Sequence, residues 1–170
     1  MLRFTCIQLD HLQKKSKQAF IFCDKEEDAQ LVVIAFKGKY VFNADDWETN
    51  FDFSWYQFNH MGKVHLRFLE DLGLANHLKM IEIFAHHTIY VSSLDIDKED
   101  PEKDLAYYVL HRRIKELLQV HKNAKFMVTG HSLGAALAVL FTSILFILQE
   151  DTLIEKMLVV YTFVQERVGE

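Results

Sequence analysis

The sequence predicts an α/β chain with a mostly parallel sheet and helices packed against it, and three observations carry that prediction. Short apolar runs rich in β-branched and aromatic residues recur at residues 20–23, 31–36, 125–129 and 157–163. An amphipathic segment of helical length, 104–121, and an apolar one, 132–149, alternate with the last two runs, and that order is the signature of a parallel sheet. Half of the 170 residues are apolar, enough to bury a real core in about one domain.

The elements follow in chain order. Residues 1–20 carry Lys14, Lys15 and Lys17 and no apolar stretch ending in small residues, so no secretory signal is read there and an intracellular, cytosol-facing protein is expected. The runs 20–23 and 31–36 (LVVIAF) flank the charged stretch 24–28 and read as a hairpin of buried strands, closed at Gly38. Residues 45–58 (DDWETNFDFSWYQF) concentrate aromatics without a clear period, whereas 64–74 has the apolar spacing of a helix. Residues 92–103 hold seven charged side chains and the only proline, and are expected to be a solvated loop with Pro101 near the first turn of the next helix. In that helix, 104–121, the residues Leu105, Tyr108, Val109, Leu110, Ile114, Leu117 and Leu118 form the apolar face, with His111, Arg112, Arg113, Lys115 and Glu116 between them. Asn123 ends it, and His121 suits the negative end of its dipole. The strand 125–129 (KFMVT), the helix 132–149 and the strand 157–163 (MLVVYTF) complete the chain. The apolar run 133–148 falls just short of the roughly 17 to 25 residues of a spanning helix and is expected to be a buried core helix.

Composition excludes several functions. Acidic residues outnumber basic ones 24 to 19, so a protein that works by neutralising a phosphate backbone is not expected, and no nucleic-acid partner is assigned. Cys6 and Cys23 are too few for a disulfide scaffold and read as free thiols in a reducing compartment. The pairs His86-His87 and His60/His65 lack companions at metal-ligand spacing, and Gly62-Lys63 and Gly38-Lys39 lack the spacing of a phosphate loop. No metal and no cofactor are therefore assigned. The aromatic cluster Phe51, Phe53, Trp55, Tyr56 and Phe58 reads as core packing, with an acyl-binding groove as the alternative.

Chemistry concentrates in Gly130-His131-Ser132-Leu133-Gly134, a G-x-S-x-G pentapeptide between the strand KFMVT and the apolar helix. Six glycines and six serines in 170 residues would give roughly 0.007 such pentapeptides by chance, before the strand-then-helix context is required. A serine on so tight a turn is held in a strained conformation with its hydroxyl standing clear of the sheet, and glycines two residues either side let the backbones pass. The helix that starts there offers unpaired N–H groups and a positive dipole end to an oxyanion, with the Leu133 N–H as one donor.

The segments LVVIAFKGKYVFNADDWETNFDFSWY, GKVHLRFLEDLGL, AYYVLHRRIKELLQVHKNAKFMVTGHSLGAALAVLF and VYTFVQERVG resemble successive parts of the class 3 lipases, especially the plant oil-body triacylglycerol lipases. The resemblance covers about residue 20 to the C-terminus. It implies an α/β-hydrolase fold, here partial and lacking its C-terminal strands and helices, and a single incomplete domain over residues 1–170. It also implies Ser132 as nucleophile, Leu133 and Lys39 as oxyanion donors, and a lid over residues 40–47. The implied activity is hydrolysis of an acylglycerol or other lipid ester, at a lipid-droplet or membrane surface.

Against that pattern, the fold places the triad in the order Ser, Asp or Glu, His, yet all nine histidines precede Ser132. The chain alone is therefore expected to be inactive. Lys39 stands where the family has Thr or Ser, Arg67 where it has Gly, and Val164 and Glu166 replace the Gly and Pro of a GQP turn. A β-branched Val in a place shaped for Gly warns of strain. The strand MLVVYTF is expected to be an uncovered sheet edge. Two alternatives stay open: a non-catalytic lipid-surface or protein-binding module, and an esterase for another lipid such as a phospholipid.

Overall fold

The computed structural model of the chain describes residues 3–8, 18–38, 55–58, 62–74, 106–165 and 167–169. The calls on Lys39, Phe51, Phe53, Glu166, the region 40–47, the loop 92–103 and His60, His86 and His87 lie outside them.

A five-stranded sheet runs in the order β1 (Arg3–Gln8), β2 (Gln18–Cys23), β3 (Leu31–Phe36), β6 (Lys125–His131), β7 (Met157–Phe163). The hairpin expected from sequence is present: β2 and β3 pair antiparallel, with Ile21 opposite Ile34. Asp24 ties the turn, its Oδ1 accepting from the N–H of Gln30 at 3.0 Å and of Leu31 at 3.2 Å. These donors, that of Leu31 foremost, hold the Asp24 carboxyl below its ordinary range. β1 extends the antiparallel part, and β3, β6 and β7 pair parallel, so the sheet is mixed and its parallel half carries the pentapeptide.

A second, two-stranded sheet joins β4 (Trp55–Phe58) to β5 (Gly62–His65), followed by α1 (Leu66–Asp71). This corrects the single helix expected over 64–74. Val64 and His65 pair with Tyr56 and Trp55 across a short hairpin, and the His65 N–H donates to the distant Val168 carbonyl at 3.0 Å, so strand pairing takes Val64 and His65 out of the helix that their spacing suggests.

Helix α2 (Ala106–Val120) falls where the sequence places it, with its buried face turned by about one residue. Tyr107, Leu110, His111, Ile114 and Leu118 are buried, while Tyr108 and Leu117 are half-buried. His111, read from sequence as part of the polar side, thus faces the interior. His121 also differs from expectation: it is buried, and its Nδ1 accepts the Ala29 N–H at 3.1 Å, so it pins the turn before β3 rather than balancing a dipole.

Helix α3 (Leu133–Ile147) is the core helix predicted. Gly134, Ala135, Ala136 and Ala138 let it lie close to the sheet, and Leu137, Leu140, Phe141, Ile144 and Leu145 fill the space around it. Phe141 meets Phe36 of β3 at 5.8 Å and Tyr107 of α2 at 5.3 Å between ring centroids, so one side chain joins three elements. Burying a side chain of that size contributes about 1.5 to 3 kcal/mol. Thr142, the buried polar residue of the helix, donates its hydroxyl to the Ala138 carbonyl at 2.8 Å. Among the described residues no helix is long and apolar enough to cross a membrane.

The end of α3 is closed by Gln149 at φ 54°, with Gln149 N–H donating to Phe146 and Glu150 N–H to Leu145. This is the double bond pattern of a Schellman cap, and it leads into α4 (Asp151–Ile154) and then β7. Cys23 is buried.

Candidate active site

Parallel strand β6 ends at His131, and α3 begins at Leu133, leaving a single residue for the reversal. That residue, Ser132, adopts φ 54° and ψ −126°, a sign of φ that side-chain-bearing residues seldom take. As the N-cap of α3 it makes no side-chain capping hydrogen bond, and its carbonyl accepts from Ala135 at 2.8 Å and Ala136 at 3.3 Å. The strained turn is therefore held by its main chain, and the hydroxyl is not spent on the helix end.

The glycines on either side explain why the turn closes. A Cβ on Gly130 would run into the Gly134 carbonyl oxygen and lie 2.7 Å from the Ala135 nitrogen. One on Gly134 would collide with the Phe36 carbonyl oxygen and sit 2.9 Å from the Lys37 carbonyl carbon. The first contact is internal to the elbow, whereas the second is between α3 and the end of β3. The steric role expected of both glycines from spacing alone is what the backbone geometry requires.

From the other side the Ser132 N–H donates to the Phe163 carbonyl at 2.9 Å, so β7 also fixes the elbow. Ser132 is half-buried, His131 beside it is exposed, and Leu133 is buried. Leu133 is the first residue of α3 and carries one of the N–H groups that a helical ladder leaves unpaired, at the positive end of the dipole. The structure thus brings Gly130, His131, Ser132, Leu133 and Gly134 into one turn, and Lys39 falls outside the described residues.

Immediately past β7, Val164 takes φ 50° and is exposed, so the strain anticipated from its β-branched side chain is present in the backbone. Among the described residues β7 is one of the two outer strands of the sheet, and Leu158, Tyr161 and Phe163 on it are exposed. Among the described residues no group of three or more His, Cys, Asp or Glu is placed to hold a metal ion.

A sheet with a core helix springing from a serine at its strand end defines an α/β hydrolase, and solved fungal lipases share the fold. The chain superposes on a triacylglyceride lipase of Rhizomucor miehei with a TM-score of 0.65 at 20% identity, covering 99% of this chain and 50% of that one. Lipase II from Rhizopus niveus gives a TM-score of 0.60 at 20% identity, with 99% and 50% covered.

The chain belongs to the class 3 lipase family, whose model, Lipase (class 3), matches residues 33–170. Among curated relatives it is 42% identical to triacylglycerol lipase OBL1 of Arabidopsis thaliana over 94% of this chain and 32% of that protein. It is 43% identical to triacylglycerol lipase OBL1 of Ricinus communis over 91% of this chain and 31% of that protein. The chain spans about a third of the length of these relatives.

Proposed function

We propose that Ser132 is the acyl-accepting nucleophile of a lipase-type ester hydrolase, acting on acylglycerols at a lipid surface. The carrying observation is the positive-φ elbow that sets a half-buried serine between β6 and α3. In this reading Oγ attacks the ester carbonyl and its proton passes to a base. The carbonyl oxygen gains the negative charge, held by the Leu133 N–H and the α3 dipole, with the Lys39 N–H as the second donor that the family resemblance implies. Collapse expels the alcohol and leaves an acyl-serine that water hydrolyses. The acylglycerol substrate is supported by the names of the plant and fungal relatives.

All nine histidines of this chain precede Ser132, so it holds no base in the Ser, Asp, His order. Sites stripped of triad members keep about 10³ to 10⁴ of acceleration over water from oxyanion stabilisation and binding alone. The 170-residue chain should therefore show negligible ester turnover yet react slowly and selectively at Ser132 with a fluorophosphonate, read by peptide mass spectrometry. Modification spread over the six serines, or absent from Ser132, refutes the nucleophile assignment. Rapid turnover that vanishes in Ser132→Ala refutes the expected inactivity. A binding module without chemistry is the second reading, favoured by the exposed Leu158, Tyr161, Phe163 and Val164 along one strand and its end.

A further inference from the structure

At the opposite end of α3 from Ser132 lies an ionisable trio, buried at His111, largely buried at Glu150 and half-exposed at Lys115, that the ester chemistry does not use. His111 on α2 is 5% exposed at its side chain, and its Nε2 stands 3.0 Å from Oε1 of Glu150, itself 10% exposed. The second oxygen of Glu150 lies 3.0 Å from Nζ of Lys115, one turn further along α2. One carboxylate therefore faces two side chains of α2, and it is set there by the Schellman cap that ends α3. His111 Nε2 has no hydrogen-bond partner, so it sits within ion-pair range of Glu150 but out of line for an N–H bond. The ring is stacked on buried Tyr107 at 5.9 Å and 18°. Among the described residues the titratable groups facing it are thus Glu150 from the α3–α4 junction and Lys115 and Tyr107 from its own helix.

We propose that His111, Glu150 and Lys115 form a pH-sensitive latch between α2 and the α3–α4 junction, closed while His111 is neutral and loosened when acid protonates it. Protonation places an imidazolium where water does not reach, beside an ammonium that already shares the one carboxylate facing it among the described residues. Burial holds His111 below its ordinary value of 6.5, Glu150 pulls it up, and Lys115 pushes it down. A histidine depressed by folding binds fewer protons in the native state than in the unfolded one. Its contribution is complete above about 6.5 and is lost as pH falls below that value.

The test is an NMR titration of the histidine ring resonances in the 170-residue chain, with amide exchange followed in parallel. His111 should titrate below 6.5, Glu150→Gln should lower its midpoint further, and Lys115→Gln, at a half-exposed position that leaves the fold intact, should raise it. On acidification, after correction for intrinsic rates, amides of α2 and of residues 148–154 should gain exchange relative to β6, and His111→Gln should abolish that difference. A midpoint at or above 6.5, a midpoint indifferent to both neighbours, or loosening that persists in His111→Gln overturns the latch. None of these readings depends on whether Ser132 reacts.

Discussion

Replacing Val164 by Gly should stabilise the protein, although it deletes a side chain. At φ 50° the residue sits where a Cβ crowds the neighbouring carbonyl, which costs about 1 to 2 kcal/mol and lies at the upper end for a β-branched side chain. The opposing terms are smaller. Glycine gives up about 0.5 to 1 kcal/mol more backbone entropy on folding. The valine is 77% exposed, so only about a quarter of its burial, roughly 0.4 kcal/mol, is forfeited. The balance is a gain of about 0.5 to 1 kcal/mol, or a rise of about 1 to 4 °C in melting temperature for a chain of this size. Thermal and urea melts of a short series separate strain relief from other causes. Val164→Asn, which tolerates positive φ, should recover part of the gain, and Val164→Ala, which keeps the Cβ, little of it. A glycine variant no more stable than the parent, or an alanine variant equal to it, would refute the strain argument.

Two further outcomes test how the elbow and its surroundings are held. Gly134→Ala should lose at least about 2 kcal/mol in urea unfolding: better helix propensity returns about 1, while overlap with the unyielding Phe36 carbonyl costs about 3 or more. His121→Leu should lose about 1 to 3 kcal/mol by stranding the buried Ala29 N–H, and His121→Asn, whose side-chain oxygen can take the place of Nδ1, should restore much of it in the same measurement.

What could be read in advance was what lies close together in the chain. The elbow is legible because strand, turn and helix occupy the contiguous residues 125–149 and each has its own local signal: β-branched residues, paired glycines, an apolar run. The β2–β3 hairpin is legible for the same reason. β1 passed unnoticed because RFTCIQ has no clean alternation and gains its place only by pairing along β2. Strand β5 is hidden although its partner β4 lies only three residues upstream, because the apolar spacing of Val64, Phe68 and Leu72 continues into α1 and masks the hairpin, and its other partner, Val168, follows much later in sequence. The burial of His111 was hidden by composition: five polar residues between apolar ones suggest a wet face, and nothing local tells that Glu150, 39 positions on, will meet the imidazole. Such a contact is set by how α3 ends, and the signal there was a Gln in the left-handed conformation, a role more often filled by Gly.

The positioning of Ser132 rests on neighbours that are all present. β6 delivers the residue, β7 binds its N–H through Phe163, β3 presses its Phe36 carbonyl against Gly134, and α3 takes up the Ser132 carbonyl. Each of these is a backbone contact. The strain at φ 54° persists only because four elements over-determine it, and a serine of no consequence in a loosely held turn would relax to negative φ. Elbow and catalysis are thus separable properties: the first is built by residues 31–36 and 125–163, while the second needs a base besides. It follows that Ser132→Gly should relieve backbone strain without disturbing the pairing of β6 with β7, a change visible as higher stability with unaltered amide protection in those strands.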